Sequence, residues 1–438
     1  MRLVRILALF GTVVAATFVV AFVLVSVFER RAEARVTFFK VAEIPKQEPD
    51  PTKWGQNFPA QYGRYMDTMK TSTFDDYSKY GRYGGSEAFQ KLDKHPDYRT
   101  LFAGYPFSVD YREERGHMLA LDDMLATQRL GDAKPGSCMT CKSAQVPALM
   151  QQLGTEQFYA TPVKELVEKY GVKHSITCAE CHNSETMALQ VNRPAFIEAM
   201  KGRGIDVTKA SRQEMRTYVC AQCHVEYYFR GPNKTVVFPW ENGLIVDNVE
   251  QYYKENGGFA DWTHAVTGAP MLKMQHPEFE LYSTGVHARA GVACADCHMP
   301  YRREGAVKVT DHWLNTPLTK ITTACATCHR ASEDEMRQRV FTIQDRTYAQ
   351  MKHAEEALVA AIGGIKEARD AGVPDAQLEK ARELHRRSQM RWDFISAENS
   401  MGFHSPQEAV RVLGDATDYA RQAQLEAYRA LMQHRGGR

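Results

Sequence analysis

All ten cysteines of this chain fall into five pairs of a single spacing, Cys138/Cys141, Cys178/Cys181, Cys220/Cys223, Cys294/Cys297 and Cys325/Cys328, with none left over. A disulfide framework rarely repeats one short spacing five times. Two thiols three positions apart lie on one side of a helical turn and can both reach the edge of one flat group. Four pairs are followed at once by a histidine (His182, His224, His298 and His329). That is the C-x-x-C-H attachment signature of c-type haem, in which the thiols take the two vinyl groups and the histidine ligates the iron from below. A zinc site needs four ligands around one point, and a redox dithiol sits in a βαβ setting. Neither suits five such pairs in a helix-rich chain.

The first pair departs from the pattern, because Lys142 follows it. An amine is a strong σ donor without a π system, and it binds a metal only when neutral. Burial against the iron supplies the depressed pKa this requires. The plainer reading is a degenerate motif with a solvated lysine. The chain has 15 histidines; the four proximal ones leave His95, His117, His174, His264, His276, His287, His312, His353, His385, His404 and His434 as the source of distal ligands. An iron with histidine on both faces is closed and suits electron transfer. One with its sixth position open can bind and transform a ligand.

The N-terminus fits an exported protein. Arg2 and Arg5 precede an uncharged apolar run from Ile6 to Phe28. As a helix these residues span roughly 34 Å, enough for a bilayer core, whereas the apolar core of a cleaved signal peptide is about 7–15 residues. The length favours a retained anchor within residues 1–35, and the small-residue site Ala32-Glu33-Ala34 keeps cleavage open. Either way the remainder lies outside the cytoplasm, where covalent haem attachment belongs. A net charge of +2 with 25% charged residues gives no case for a nucleic-acid partner.

Residues 36–60, with Pro45, Pro49, Pro51 and Pro59, read as an extended linker. Residues 61–330 carry the haem motifs, whose first cysteines are 40, 42, 74 and 31 positions apart; that unevenness argues against tandem repeats. The long gap between Cys220 and Cys294 leaves room for a loop with another task. Within it, Thr235–Phe238 reads as a short strand ended by Pro239. From Val340, apolar or small residues at 340, 343, 347, 351, 354, 358, 362 and 365 draw one stripe down a long helix. Gly363 and Gly364 are expected to weaken it, and Gly372–Pro374 to end it. A second helix follows Asp375, and a third opens at Ser405-Pro-Gln-Glu408, a capping box. Residues 331–438 are thus a bundle of long helices whose stripe serves an intramolecular core or a dimer seam. The fold class is mostly α, a multihaem core with little sheet.

These residues resemble the pentahaem, ammonia-forming cytochrome c nitrite reductases over roughly residues 60–415. The likeness rests on Cys138-Met-Thr-Cys-Lys142 followed by four C-x-x-C-H motifs, on Arg115-Gly-His117, and on Cys220-Ala-Gln-Cys-His-Val-Glu-Tyr-Tyr-Phe229. It also rests on Phe238-Pro-Trp240, Met271-Leu-Lys-Met-Gln-His276 and Met401-Gly-Phe-His404. The resemblance implies five covalent haems c and a calcium ion. It implies that the Lys142-ligated haem is catalytic and open to nitrite, with Arg129, Tyr227 and His276 as active-site residues. It further implies calcium ligands from Glu226, Gln275 and the backbone carbonyls of Tyr227 and Lys273. His117, His287, His312 and His404 would be the distal haem ligands, with their pairing left open. Only 13 positions separate Arg129 from Lys142, and Arg115 is the second candidate for the arginine. A periplasmic homodimer on the C-terminal helices is also implied, fed by a membrane quinol-oxidising tetrahaem cytochrome or a soluble multihaem donor.

Nitrite reduction to ammonium takes six electrons and eight protons, so four closed haems feeding one open haem suit it. The alternatives are reduction of hydroxylamine, sulfite or tetrathionate, or electron transfer alone. The last predicts that every iron is six-coordinate.

Overall fold

The computed structural model describes residues 2–33, 40–70, 89–129, 131, 134–305 and 307–436. Ala34 of the small-residue site, residues 36–39 of the linker and Leu130 lie outside them. Four helices among the described residues exceed twenty residues: α1 (Arg2–Glu33), α2 (Glu333–Asp370), α3 (Asp375–Ser396) and α4 (Pro406–Gly436). The remaining helices are short, and six strands form three two-stranded antiparallel hairpins.

In α1 the hydroxyls of Thr12 and Thr17 donate to the carbonyls four residues back, so both threonines of the apolar run are satisfied within the helix. Its large apolar side chains, Phe10, Phe18 and Phe22 among them, are exposed. The helix is long and apolar enough to cross a membrane, a test that an N-terminal signal sequence also passes.

The stripe on α2 is buried from Thr347 onward, through Met351, Ala354, Leu358, Ile362 and Ile365; Val340 and Ile343 are half-buried. Ser332 and Glu335 form a reciprocal capping box at its start. Gly363 and Gly364 do not weaken it, contrary to the sequence expectation: the helix runs on to Asp370. Gly364 faces Gln424 and Tyr428 of α4, so tertiary contact compensates for poor helix propensity. α4 contributes Ala409, Ala416, Ala420, Ala423, Ala427 and Ala430, all buried, and this small-residue face lets three helices pack closely. Pro406 opens α4 as expected, but both oxygens of Glu408 accept from Arg411, at 2.9 and 2.6 Å, rather than closing a box.

The linker expectation also needs correction. Pro51 and Pro59 do not keep the chain extended; each is the first residue of a short helix, Pro51–Asn57 and Pro59–Met66. A proline is at home there because the first helical N–H has no partner to lose. Asp50 caps the first of these helices through Thr52. β1 (Tyr228–Arg230) pairs with β2 (Thr235–Val237), the strand read from the sequence. β3 (Trp262–Thr263) pairs with β4 (Pro270–Met271), and β5 (Tyr301–Glu304) with β6 (Val307–Thr310). The first two hairpins fill the long gap between the third and fourth cysteine pairs and hold the segment 271–276 against the core.

Candidate functional site

All ten cysteines are free and line one continuous cavity, together with Lys142 and the four histidines that follow the other pairs. Its volume is about 1830 Å³, beyond the roughly 300–1,000 Å³ of an ordinary ligand pocket. The space suits several large flat groups rather than one.

Four histidine pairs face each other across this cavity. Ring centres are 6.1 Å apart for His117 and His224, 6.2 Å for His182 and His312, 6.2 Å for His287 and His329, and 6.3 Å for His298 and His404. A metal–imidazole bond of about 2.0–2.1 Å plus about 1.1 Å from nitrogen to ring centre, taken on both sides, gives about 6.3 Å for two rings sharing one metal. The pairs therefore fit four irons, and each joins one motif histidine to one of the four distal candidates. Several rings are oriented from behind, as ligating imidazoles usually are. Nδ1 lies 3.0 Å from the Met187 carbonyl in His182, 3.1 Å from Asn315 O in His298 and 2.8 Å from Thr310 O in His312. The Glu398 carboxylate lies 2.5 Å from Nδ1 of His404. Burial pushes His117, His298 and His312 down to about 4, so they are neutral and able to ligate at neutral pH. Gly402, at φ +78°, leaves no room for a Cβ against Thr347, which fixes the turn presenting His404.

The fifth motif is different. Lys142 Nζ sits 2.5 Å from the Glu114 carboxylate instead of opposite a paired imidazole. Burial would raise Glu114, but Lys142 and His276, with Arg129, hold its carboxyl down at about 2. Burial pushes His276 down to about 4 and the Tyr227 phenol well up, with Cys141, Cys138 and Glu114 adding to the rise. Arg129, Tyr227 and His276 thus share one chamber with Lys142. The Arg129 guanidinium lies 4.2 Å from the Phe107 ring centre and donates to Asp110 O at 3.3 Å. Arg115 is committed elsewhere, with Nε and Nη2 on Asp123 at 2.7 and 2.5 Å. Of the two arginines, Arg129 is the one that faces the chamber's charges.

Behind the chamber lies a group of buried carboxylates. Glu226 is fully buried; it accepts Gln275 N–H at 2.6 Å and the Tyr253 hydroxyl at 3.1 Å. Burial raises its pKa well above the ordinary range, with Glu280 and Asp261 contributing. Glu280 is pushed up to about 8 and Asp261 to about 6, burial being the main cause in both. Lys273 offsets Asp261 only in part, since its ammonium is paired with Asp393 at 3.0 Å. Its carbonyl instead receives the Gln275 side chain at 3.1 Å. Glu226, Lys273 O and Gln275 are thus together, an all-oxygen donor set with surplus negative charge, which suits a hard cation. No cluster of three or more His, Cys, Asp or Glu with metal-site geometry occurs among the described residues, so such a cation would rely on amide and backbone oxygens.

Reading the motifs missed Glu114, Asp110 and Glu398. Glu114 adjoins Arg115-Gly-His117, and that adjacency was the only available signal. Asp110 accepts Gln128 N–H at 2.6 Å, Thr127 Oγ1 at 3.0 Å, Gln90 Nε2 at 2.8 Å and Arg112 Nε at 3.0 Å, which ties down the segment leading to Arg129. His264 and His385, read as structural, form a buried edge-on pair 5.1 Å apart, bonded to Thr100 O and Gln389.

Known proteins share this architecture. The cytochrome c-552 of Parabacteroides distasonis is 42% identical over 435 residues, covering 97% of this chain and 85% of that protein. That of Bacteroides fragilis is 41% identical over 439 residues, covering 97% and 86%. The catalytic subunit of a Desulfovibrio desulfuricans cytochrome c nitrite reductase, described with two calcium sites, superimposes with a TM-score of 0.82 at 35% identity, over 89% of this chain and 87% of that one. The cytochrome c552 family model matches residues 50–437. With five cysteine pairs around one cavity and four imidazole pairs at iron-sharing distance, this chain is a c-type cytochrome carrying covalent haem and belongs to the cytochrome c552 family.

Proposed function

We propose that this cytochrome reduces nitrite to ammonium at a haem held by Cys138, Cys141 and Lys142. The supporting observation is the asymmetry of the cavity: four motifs have a facing imidazole, and the fifth has a charged chamber. The superimposable nitrite reductase supports the same substrate. Cys178/Cys181, Cys220/Cys223, Cys294/Cys297 and Cys325/Cys328 would hold the other haems, together with the facing pairs His182/His312, His224/His117, His298/His404 and His329/His287. A haem bound at Lys142 would supply an iron that can take the anion and one-electron redox chemistry.

The remaining work falls to side chains. Arg129 binds the anion and offsets the charge that develops as N–O bonds break. His276 and Tyr227 pass protons to the departing oxygens. The overall balance is NO2⁻ + 8 H⁺ + 6 e⁻ → NH4⁺ + 2 H2O. Glu226, Gln275 and the carbonyls of Tyr227 and Lys273 would hold calcium. That ion would neutralise the buried carboxylates and fix the segment carrying His276.

Two surfaces support the remaining assignments. Leu425, Tyr428 and Met432 form an exposed apolar stripe on α4, which suits a homodimer seam. The segment after α1 folds onto the second haem motif: Ile44 packs with Ala179, and Thr177 Oγ1 donates to Pro49 O at 2.9 Å. A retained α1 would keep that motif near the membrane, within reach of a quinol-oxidising tetrahaem donor; a soluble multihaem donor is the other candidate. The test is nitrite turnover with reduced viologen and ammonium quantified, on periplasmic protein whose five haems are verified by mass. An all-low-spin spectrum with no ammonium would leave an electron carrier only.

A further inference from the structure

The residues just before the second cysteine of the first three motifs, Thr140, Glu180 and Gln222, come from separate stretches of sequence and meet around one extended segment, Asn192-Arg193, which leads into the helix Pro194–Gly202. Arg193 is 0% exposed and lies behind the cavity wall rather than on it. Its guanidinium donates through Nε to Thr140 O at 2.7 Å and through Nη2 to Ser143 O at 3.5 Å and Glu180 Oε2 at 2.5 Å. Nη1 donates to Asn192 Oδ1 at 2.5 Å. Thr140 O and Ser143 O bracket the Cys141-Lys142 peptide. Glu180 belongs to the second motif, and its carbonyl accepts Asn192 Nδ2 and Gln222 Nε2, both at 3.3 Å. Gln222 Oε1 accepts Asn192 N–H at 3.0 Å.

We propose that Arg193 is the positioning residue of the Lys142-bearing turn, locking it in register with the second haem motif through Glu180. The inference rests on the reading of Lys142 as an iron ligand. A buried ion pair is a costly way to gain stability, because both charges lose their water. A planar guanidinium, however, can hold two carbonyls and a carboxylate in one fixed arrangement. The lysine side chain is long and flexible, so its amine is only as well aimed as the backbone that carries it. Arg193 clamps that backbone on both sides of Lys142. Histidine motifs have less need of such a clamp: the imidazole is a shorter, stiffer side chain, and His182 and His298 are also held from behind by the Met187 and Asn315 carbonyls.

The experiment uses the full-length holoprotein. Wild type is measured first for haem mass, the ferric high-spin resonance of the Lys142 haem and nitrite binding to it. Absence of that resonance in wild type defeats the nitrite-reductase reading itself. Arg193→Lys keeps the charge and loses the fork. It is expected to retain five haems yet broaden or shift the high-spin resonance and weaken nitrite binding by about 10–100-fold, the range for outer-shell partners of metal ligands. Glu180→Gln is the milder variant and is expected to move the same signals less; it decides the matter if Arg193→Lys does not mature. Gln222→Leu cuts only the tie to the third motif and is expected to leave the resonance in place. A wild-type resonance and nitrite affinity in Arg193→Lys, or in Glu180→Gln where that is the deciding variant, overturn the proposal. So does an equal shift in Gln222→Leu, which would mark general packing rather than positioning.

Discussion

The Asp110 carboxylate accepts the backbone N–H of Gln128 at 2.6 Å, one residue before Arg129. The same carboxylate takes Thr127, Gln90 and Arg112, and the Asp110 carbonyl takes the Arg129 guanidinium itself. One residue therefore sets both the path of the segment and the direction of its arginine. Asp110→Ala is expected to raise KM for nitrite by about 10–100-fold, the equivalent of one lost hydrogen bond to a charged group, with a smaller change in kcat. Steady-state kinetics at constant haem content check it.

The same carboxylate carries a pH signature. Burial opposes its charge, but the four donors hold Asp110 down at about 2 from an unfolded value of 3.8. A lowered folded pKa means stability that is fully present above the unfolded value and is lost as pH falls through the folded one. Wild type should therefore lose stability between about pH 4 and pH 2 more steeply than Asp110→Asn. Denaturant midpoints across that window measure the difference, and equal slopes would refute it.

Replacing Lys142 with histidine tests the fifth ligand. The two cysteines that attach the haem are untouched, so mass should still report five haems. Nitrite turnover is expected to fall at least about tenfold if Lys142 is the iron ligand we propose, because ligand identity sets the electronics of the metal. Unchanged kinetics would reduce Lys142 to a tolerated departure from the motif.

Glu226→Gln removes the one carboxylate among the proposed cation ligands, fully buried in the fold. Wild type should gain stability when calcium is added after chelation, by about 2.7 kcal/mol at one hundred times Kd, read as a raised Tm. The variant should not respond, and the segment 271–276 should exchange its amide hydrogens faster. A calcium-responsive variant would place the ion elsewhere.

A dimer seam on α4 predicts that Met432→Glu, at a position 60% exposed in the single chain, folds normally but associates about 100-fold more weakly, near 2.8 kcal/mol. Sedimentation at several concentrations reads this out. A variant that sediments like wild type would locate the seam on another face.

Much of this protein was legible without coordinates, and for a physical reason. Cys-x-x-Cys with the residue that follows it is a local device complete within one helical turn, so the five motifs and the odd residue Lys142 after the first of them could be read directly. The stripe on α2 and the start of α3 were equally plain, because helical period is a local property. The fate of Gly363 and Gly364 was not, since what compensates them is α4, far along the chain. Nor could sequence say that Pro51 and Pro59 would start helices rather than prevent them.

What the tertiary structure alone decided is who faces whom. His117 and His224, or His287 and His329, are brought together only through space, so which histidine faces which had to await the fold. That Asp123 occupies Arg115 while Arg129 lies beside Glu114 is likewise a matter of the fold. Arg193 looked like any other arginine in the sequence. Only burial and the convergence of Thr140, Ser143 and Glu180 upon it set it apart, because a hydrogen-bond fork is defined by positions in space and leaves no periodicity or spacing to read.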